Sequence, residues 1–283
     1  MGMEGIQAIL QKAGLATTFK ERTPREKEQF YVDDWNKTPG KRDKEDGYNC
    51  DICLNRGTIA KLVDEGGGRY SHCFADCKCV DTRLSIMRMQ RSGLKNIIKD
   101  YTFDKFEATE PWQKALKDAA MSYAKEPKGW FFLGGQSGCG KTHLCTAICR
   151  EFLLEGKRVV YMLWRDEIVK IKGAATEGGE ISKILDKYKT ADVLYIDDLF
   201  KTGKAADNTM QKPTVADINY AFEIINYRYN NPKLLTIISS ELTEDELLDI
   251  DEAIGGRIFE RSKSISIAKN RDRNYRIRKV VTL

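Results

Sequence analysis

The segment GQSGCGKT, Gly135 to Thr142, is a glycine, four residues and Gly-Lys-Thr, set between an apolar run, GWFFLGG, and a helix-periodic run, KTHLCTAICREFLLEG. No other stretch constrains the fold as strongly, because a phosphate loop needs a buried strand before it and a helix after it. Its glycines let backbone N–H groups converge on phosphate oxygens, and the helix adds the positive end of its dipole. The candidate nucleotide contacts are Gly135, Gln136, Ser137, Gly138, Cys139, Gly140, Lys141, Thr142 and His143. Lys141 is placed to reach the β- and γ-phosphates of ATP, and the Thr142 hydroxyl to hold Mg²⁺. A chance match in a surface loop is the plain alternative, and the flanking strand and helix argue against it.

The rest of the chain beyond Tyr101 alternates in the same way. KRVVYML, ADVLYIDD and LLTIISS read as strands, and TVADINYAFEIINYRY as a helix. The alternation predicts an α/β fold with a parallel sheet flanked by helices, whose chemistry gathers at the carboxyl ends of the strands. VLYIDD delivers Asp197 and Asp198 to such an end. Asp197 is expected to hold Mg²⁺ and Asp198 to orient the attacking water. Ser239 and Ser240 close the next strand; one hydroxyl either senses the γ-phosphate or caps the helix that follows. Cys145 and Cys149 fall at i, i+4 on the helix after the loop and read as small buried residues without redox duty.

Five of the eight cysteines crowd into CDIC and SHCFADCKC, upstream of this domain. Between them lie two short β-like runs, GTIAKLV and RYSH, joined by the glycines of DEGGGRY, which predicts a hairpin between two metal knuckles. Pairs at Cys-x-x-Cys and Cys-x-Cys spacing place two sulfurs on one ion, so Cys50, Cys53, Cys77 and Cys79 are the chosen Zn²⁺ ligands, with His72 or Cys73 able to substitute geometrically. Four protein ligands leave no open position, so the metal is structural. So short a segment has too little apolar mass for its own core, and metal binding supplies the folding free energy. The expected organisation is an N-terminal region over 1–80 with the metal site in 48–80, a basic helical connector over 81–100, and an ATPase domain over 101–283. In the connector Leu84, Met87 and Arg88 fall at helical spacing and Gly93 is the expected stop. EGIQAILQK and PREKEQFYVDDWNK are further short helical patterns near the start.

Charge is uneven. From Arg257 to the end there are nine Lys/Arg against two Asp/Glu, in a chain of net charge +5. Such a tail is either a phosphate-contacting surface or a solvated strand edge guarded by charge. No run approaches the roughly 20 apolar residues of a membrane span, and MGMEGIQAILQKAGL lacks the regions of a signal peptide, so a soluble cytoplasmic protein with reduced thiols and no membrane contact is expected.

The runs YTFDKFEA, GGQSGCGKTHL, VLYIDDLFK, INYAFEIINYRYNN, TIISSELTEDELL and IDEAIGGRIFERS follow in order over residues 100 to 283. Together they resemble the AAA+ domain of DnaC/DnaI-type replicative helicase loaders, particularly those of phage and Gram-positive mobile elements. CDIC, CKC and RLSIMRMQRSGL are similar to the cysteine knuckles and connector of many such loaders. The resemblance implies an ATPase that binds a hexameric replicative DNA helicase, helps place it on single-stranded DNA, and associates with copies of itself through its AAA+ domains. It assigns helicase gripping to the N-terminal region. Asp198 stands where many AAA+ proteins carry a longer glutamate, which implies slow hydrolysis suited to a switch. Arg257 matches the arginine finger offered to a neighbouring subunit, with Arg261 as second candidate, and the glycines before it are expected to free the backbone to project it. The plain reading of Arg257 is a surface residue paired with Glu260 or another carboxylate. Arg276, in RNYRIRK, stands for the second sensor arginine. Single-stranded DNA is expected on basic residues of this domain, with the tail and the KTGK loop contributing.

Two other functions share these motifs: an IstB-type transposition helper ATPase, and a zinc-containing DNA-binding regulator with a vestigial ATP site. The knuckles and N-terminal extension favour the loader over the first, and intact Lys141, Thr142 and Asp197 weigh against the second. A small-molecule P-loop kinase lacks a recognisable acceptor site.

Overall fold

The computed structural model describes residues 22–89, 97–176, 181–203 and 211–277. The pattern EGIQAILQK, Gly93, Lys204 of the KTGK loop and the last six residues of the basic tail lie outside them. Contacts divide the chain into two compact units, Met1–Cys77 and Lys78–Leu283.

In the first unit a helix over Pro24–Lys37 (α1) starts at a capping box, in which Thr23 accepts from the Glu26 N–H and the Glu26 carboxylate accepts from the Thr23 N–H. A single turn, Asp43–Asp46 (α2), follows. The expected hairpin pairs Thr58–Gly66 (β1) with Arg69–Asp76 (β2), antiparallel, with Thr58 opposite Asp76. The Asn36 side chain of α1 donates to the Ala60 carbonyl at 3.0 Å and accepts from its N–H at 2.9 Å, so one amide satisfies an edge position of β1. Trp35 packs on Phe74 at 4.5 Å between ring centroids, and the Arg56 guanidinium lies 4.2 Å from the Trp35 ring. Among the described residues, the buried apolar side chains of this unit are Val32, Ala60 and the cysteines 50, 53 and 77. That is too little hydrocarbon for a self-sufficient core.

The second unit opens with helices Cys79–Met89 (α3), Ile97–Asp100 (α4) and Pro111–Lys125 (α5). The expected alternation follows: Trp130–Gly135 (β3), Lys141–Leu154 (α6), Val159–Leu163 (β4), Trp164–Thr176 (α7), Ile181–Lys189 (α8), Val193–Asp197 (β5), Val215–Tyr229 (α9), Leu235–Ser239 (β6), Glu244–Ile250 (α10), Glu252–Arg261 (α11) and Ser262–Ile267 (β7). The five strands are all parallel, in the order β4-β5-β6-β3-β7. Every residue of β3 is buried, as an inner strand covered on both faces must be. Phe131 meets Tyr123 of α5 on one face, and Phe132 meets Phe259 of α11 on the other.

Because β4 follows β3 in sequence but lies at the far edge, the strand order breaks beside β3, and the loops leaving β3, β5 and β6 meet at one carboxyl edge. Arg228 of α9 braces this sheet from below. Its fully buried guanidinium donates to the carbonyls of Tyr188, Lys189, Ala191 and Leu235 and to the Thr236 hydroxyl, and burial lowers its pKa to about 9. Part of the basic tail is the edge strand β7, so for residues 262–267 the strand-edge reading holds. The single-residue alternation of Ser and Lys with Ile265 and Ile267 suits a sheet edge.

Candidate functional site

Gly135 ends β3 at φ 95°, and a Cβ there would stand 2.0 Å from the Ile267 carbonyl oxygen, so only glycine lets the chain leave the sheet beside β7. The loop then runs into α6 at Lys141, whose side chain is 6% exposed and whose Nζ donates to the Gly135 and Gln136 carbonyls at 2.8 Å each. The segment after β7 closes over the loop. The Asn270 N–H donates to Gln136 Oε1, the Tyr275 N–H to the Gly138 carbonyl, and the Tyr275 hydroxyl to Glu107. Between them lies a cavity of about 280 Å³. Its lining combines the polar Ser137, Lys141, Thr142, Asp198 and Glu241 with Tyr101, Phe106 and His143. His143 lies flat on Tyr101, 4.5 Å between centroids and 5° between planes, and burial lowers its pKa, so the ring is neutral at pH 7. A cation-and-glycine cradle beside an aromatic wall fits a nucleoside phosphate.

Asp197, 4% exposed, stands at the tip of β5 beside Thr142. Four hydroxyls donate to it: Thr142 at 3.2 Å, Tyr195 at 2.7 Å and Ser239 at 2.5 Å to Oδ1, and Tyr161 at 2.9 Å to Oδ2. Tyr161 pairs with Tyr195 in register across β4 and β5, and Tyr195 shares a face with Asp197 two residues on. Burial and the Asp197 charge push both phenols well above the ordinary range, so they remain donors. Sequence reading missed both tyrosines; the available signal was a tyrosine two places before a strand-end aspartate.

Asp198 turns away from the strand at φ 57°, and Phe200 follows at φ 60°. This turn returns Lys201 to the site, where its Nζ lies 2.8 Å from Asp198 Oδ2 and 3.0 Å from Glu241 Oε1. Burial alone would lower the Lys201 ammonium, but the hydrogen bonds and charges of Asp198 and Glu241 outweigh it and raise its pKa. Neither Lys201 nor Glu241 was readable as a site residue. Ser239 also accepts from the Asp198 N–H at 3.1 Å, while Ser240 donates to the Leu199 carbonyl and accepts from the Leu242 N–H. Neither serine caps the next helix: Thr243 does, in a capping box with Glu246.

Arg257 differs from the plain expectation. Its Nε donates to Asn226 and its Nη1 to the Ala253 carbonyl, and its guanidinium lies 5.0 Å from the Phe222 ring. Among the described residues no carboxylate is in ion-pair contact with it, and Glu260 instead accepts from the Tyr229 hydroxyl. The glycines before it do not free the backbone. Both lie inside α11, where Gly255 packs so closely that a Cβ would meet Leu248 at 2.8 Å. Arg261 donates to the Tyr229 carbonyl, and Arg276 lines the cavity.

The thiols of Cys50, Cys53, Cys77 and Cys79 lie within 4.8 Å of one another, all buried, and Cys50 Sγ is 3.7 Å from Cys77 Sγ. A tetrahedron of Zn–S bonds of about 2.3 Å separates its sulfurs by roughly 3.8 Å, so the donor set fits structural zinc. The Gly57 N–H donates to Cys53 Sγ at 3.2 Å, the outer support expected of a thiolate ligand. Cys73 is exposed on β2, and His72 pairs with Glu28 at 2.6 Å, so neither joins the cluster. Burial raises the Cys139, Cys145 and Cys149 thiols, which suits inert packing residues. Among the described residues no helix is long and apolar enough to cross a membrane.

The signature described as "IstB-like ATP binding protein" matches residues 78–279. The phage-like element PBSX protein XkdC of Bacillus subtilis is 31% identical over 226 residues, 75% of this chain and 79% of its own length. The replicative helicase loader DnaC of Escherichia coli K12 is 25% identical over 185 residues, 62% of this chain and 70% of its own. A crystal structure of the DnaC helicase loader superposes with a TM-score of 0.51 at 21% identity, over 61% of this chain and 99% of that one, and shows that the two share a fold.

Proposed function

We propose, from the premise that this chain belongs to the family of IstB-like ATP-binding proteins, that it is an ATP-driven loader of a hexameric replicative DNA helicase onto single-stranded DNA. The observation that carries the nucleotide part is that Lys141 and Thr142 line one cavity together with aromatic side chains, while the Thr142 hydroxyl meets Asp197 at 3.2 Å. Thr142 and Asp197 would hold Mg²⁺, which supplies charge neutralisation at the β- and γ-phosphates when bound. Lys141 binds the same oxygens, and Ser239, touching both aspartates, relays the state of the site to β6. Asp198 orients water, and hydrolysis acts as a switch. The helicase part is supported by the similarity to DnaC, itself a replicative helicase loader.

The cysteine cluster holds zinc as a structural clamp, and the N-terminal region grips the helicase. Arg257 acts on the nucleotide of a neighbouring copy, Arg276 on that of its own chain. The description of the matched family favours one other reading, a transposition helper whose partner is a transposase. The test is co-purification of the full chain with the replicative helicase of its host, with and without ATP. Retention of helicase supports the loader, and retention of transposase alone supports the helper.

A further inference from the structure

We propose that Lys201 is the positioning residue by which this site prefers a nucleoside triphosphate over a diphosphate; the inference rests on the nucleotide reading above. Asp198 and Glu241 line the cavity beside Lys141, as does Glu107, which accepts from the Tyr275 hydroxyl, and Asp197 sits next to Thr142. Asp197 is met by four hydroxyls. Asp198 and Glu241 share the Lys201 ammonium, at 2.8 and 3.0 Å, and Glu241 is held in addition by Ser137 and by the charge of Lys141. Asp198, Glu241, Lys201 and Lys141 all line the cavity, so the two carboxylates face the space that a terminal phosphate occupies when a phosphate loop is filled.

The backbone is built to bring this lysine back. Asp198 and Phe200 both take left-handed φ values, 57° and 60°, which cost about 1 kcal/mol or more each outside glycine. The turn is fixed by the Lys201 N–H donating to the Asp198 carbonyl, the Leu199 N–H to the Ser239 carbonyl, and the Ser240 hydroxyl to the Leu199 carbonyl. Leu199 and Phe200 are buried beneath it, with Phe200 edge-on to Trp164 at 5.3 Å. A solvent lysine needs no such construction.

Without Lys201, Asp198 loses the cation that pairs with it and Glu241 keeps only Ser137 and the Lys141 charge, so both would oppose a γ-phosphate more strongly. The loop backbone would hold the α- and β-phosphates, so a diphosphate is expected to be affected less. Removing one positive charge at this range weakens triphosphate binding by about tenfold.

The experiment measures equilibrium binding of fluorescent methylanthraniloyl-ATP and -ADP to the purified full chain, with thermal unfolding to confirm the fold. Lys201→Met is expected to lose about tenfold in ATP affinity and less than about threefold in ADP affinity. Lys201→Arg should restore the wild-type ratio, and Glu241→Gln added to Lys201→Met should recover part of it. Equal losses for both nucleotides, or an unchanged ratio in a folded Lys201→Met protein, overturns the proposal. A wild-type chain that binds neither nucleotide overturns instead the reading on which it rests.

Discussion

Thr142, the second residue of α6, donates its hydroxyl hydrogen to Asp197 Oδ1 at the tip of β5, 3.2 Å away. Two elements far apart in sequence thus present one hydroxyl and one carboxylate to a shared point, the donor set of a phosphate-bound Mg²⁺. Asp197→Asn keeps the shape and removes the charge. Mg²⁺ is expected to strengthen nucleotide binding by the wild type, and this gain should shrink by about tenfold or more in the variant. Titrating nucleotide at several Mg²⁺ concentrations checks it, and an unchanged metal dependence contradicts the assignment.

The cysteine cluster predicts one zinc per chain. Cys50→Ser or Cys79→Ser should lose the metal and unfold the hairpin unit while the parallel-sheet unit remains folded, because so little apolar surface is buried around β1 and β2. Cys73→Ser should keep the metal. Metal analysis with circular dichroism reads both, and zinc loss from the Cys73 variant would show a different ligand set.

Arg257 rests on Phe222 and Asn226 of its own chain, so a role in trans requires it to leave these neutral partners. Arg257→Ala chains mixed with Lys141→Ala chains are expected to recover part of the ATP hydrolysis that each lacks alone, since an intact phosphate loop then receives an intact arginine. Rates that merely add, in confirmed mixed assemblies, make Arg257 a surface residue.

Asp217 caps α9 through Thr214 and pairs with Lys172 at 2.7 Å. Burial alone would raise its carboxyl, but the hydrogen bonds from Lys172 and Thr214 outweigh it and hold the pKa below the usual 3.8. A depressed folded value means that the carboxylate stabilises the fold above the usual pKa, and that this contribution is lost as pH falls through the folded one. Asp217→Asn should cost about 1–3 kcal/mol at pH 7. Its deficit against wild type should close below about pH 4, and a deficit independent of pH contradicts the sign.

What the sequence made legible is what has a local backbone cause. The glycine at 135 must take a left-handed φ beside β7, and the apolar run into Asp197 must be an inner strand; both are written in neighbouring residues. β7 was hidden because only Ile265 and Ile267 mark its period among Ser and Lys, and α7 because it follows Leu163 directly with no turn residue between. Lys201 and Glu241 meet from loops 40 residues apart, and Tyr161 and Tyr195 look like core residues until their hydroxyls are seen on Asp197. Such contacts are set by the strand order, which no local pattern encodes.

The central claim is that nucleotide at this loop drives deposition of a helicase on single-stranded DNA. The most direct measurement counts helicase hexamers retained on closed circular single-stranded DNA after incubation with the full chain and ATP, with Lys141→Ala as control. The account predicts deposition with the wild-type chain, and about tenfold less or none with Lys141→Ala, although that variant still binds the helicase. Equal deposition by both proteins, or none by the wild type when helicase binding is intact, contradicts it.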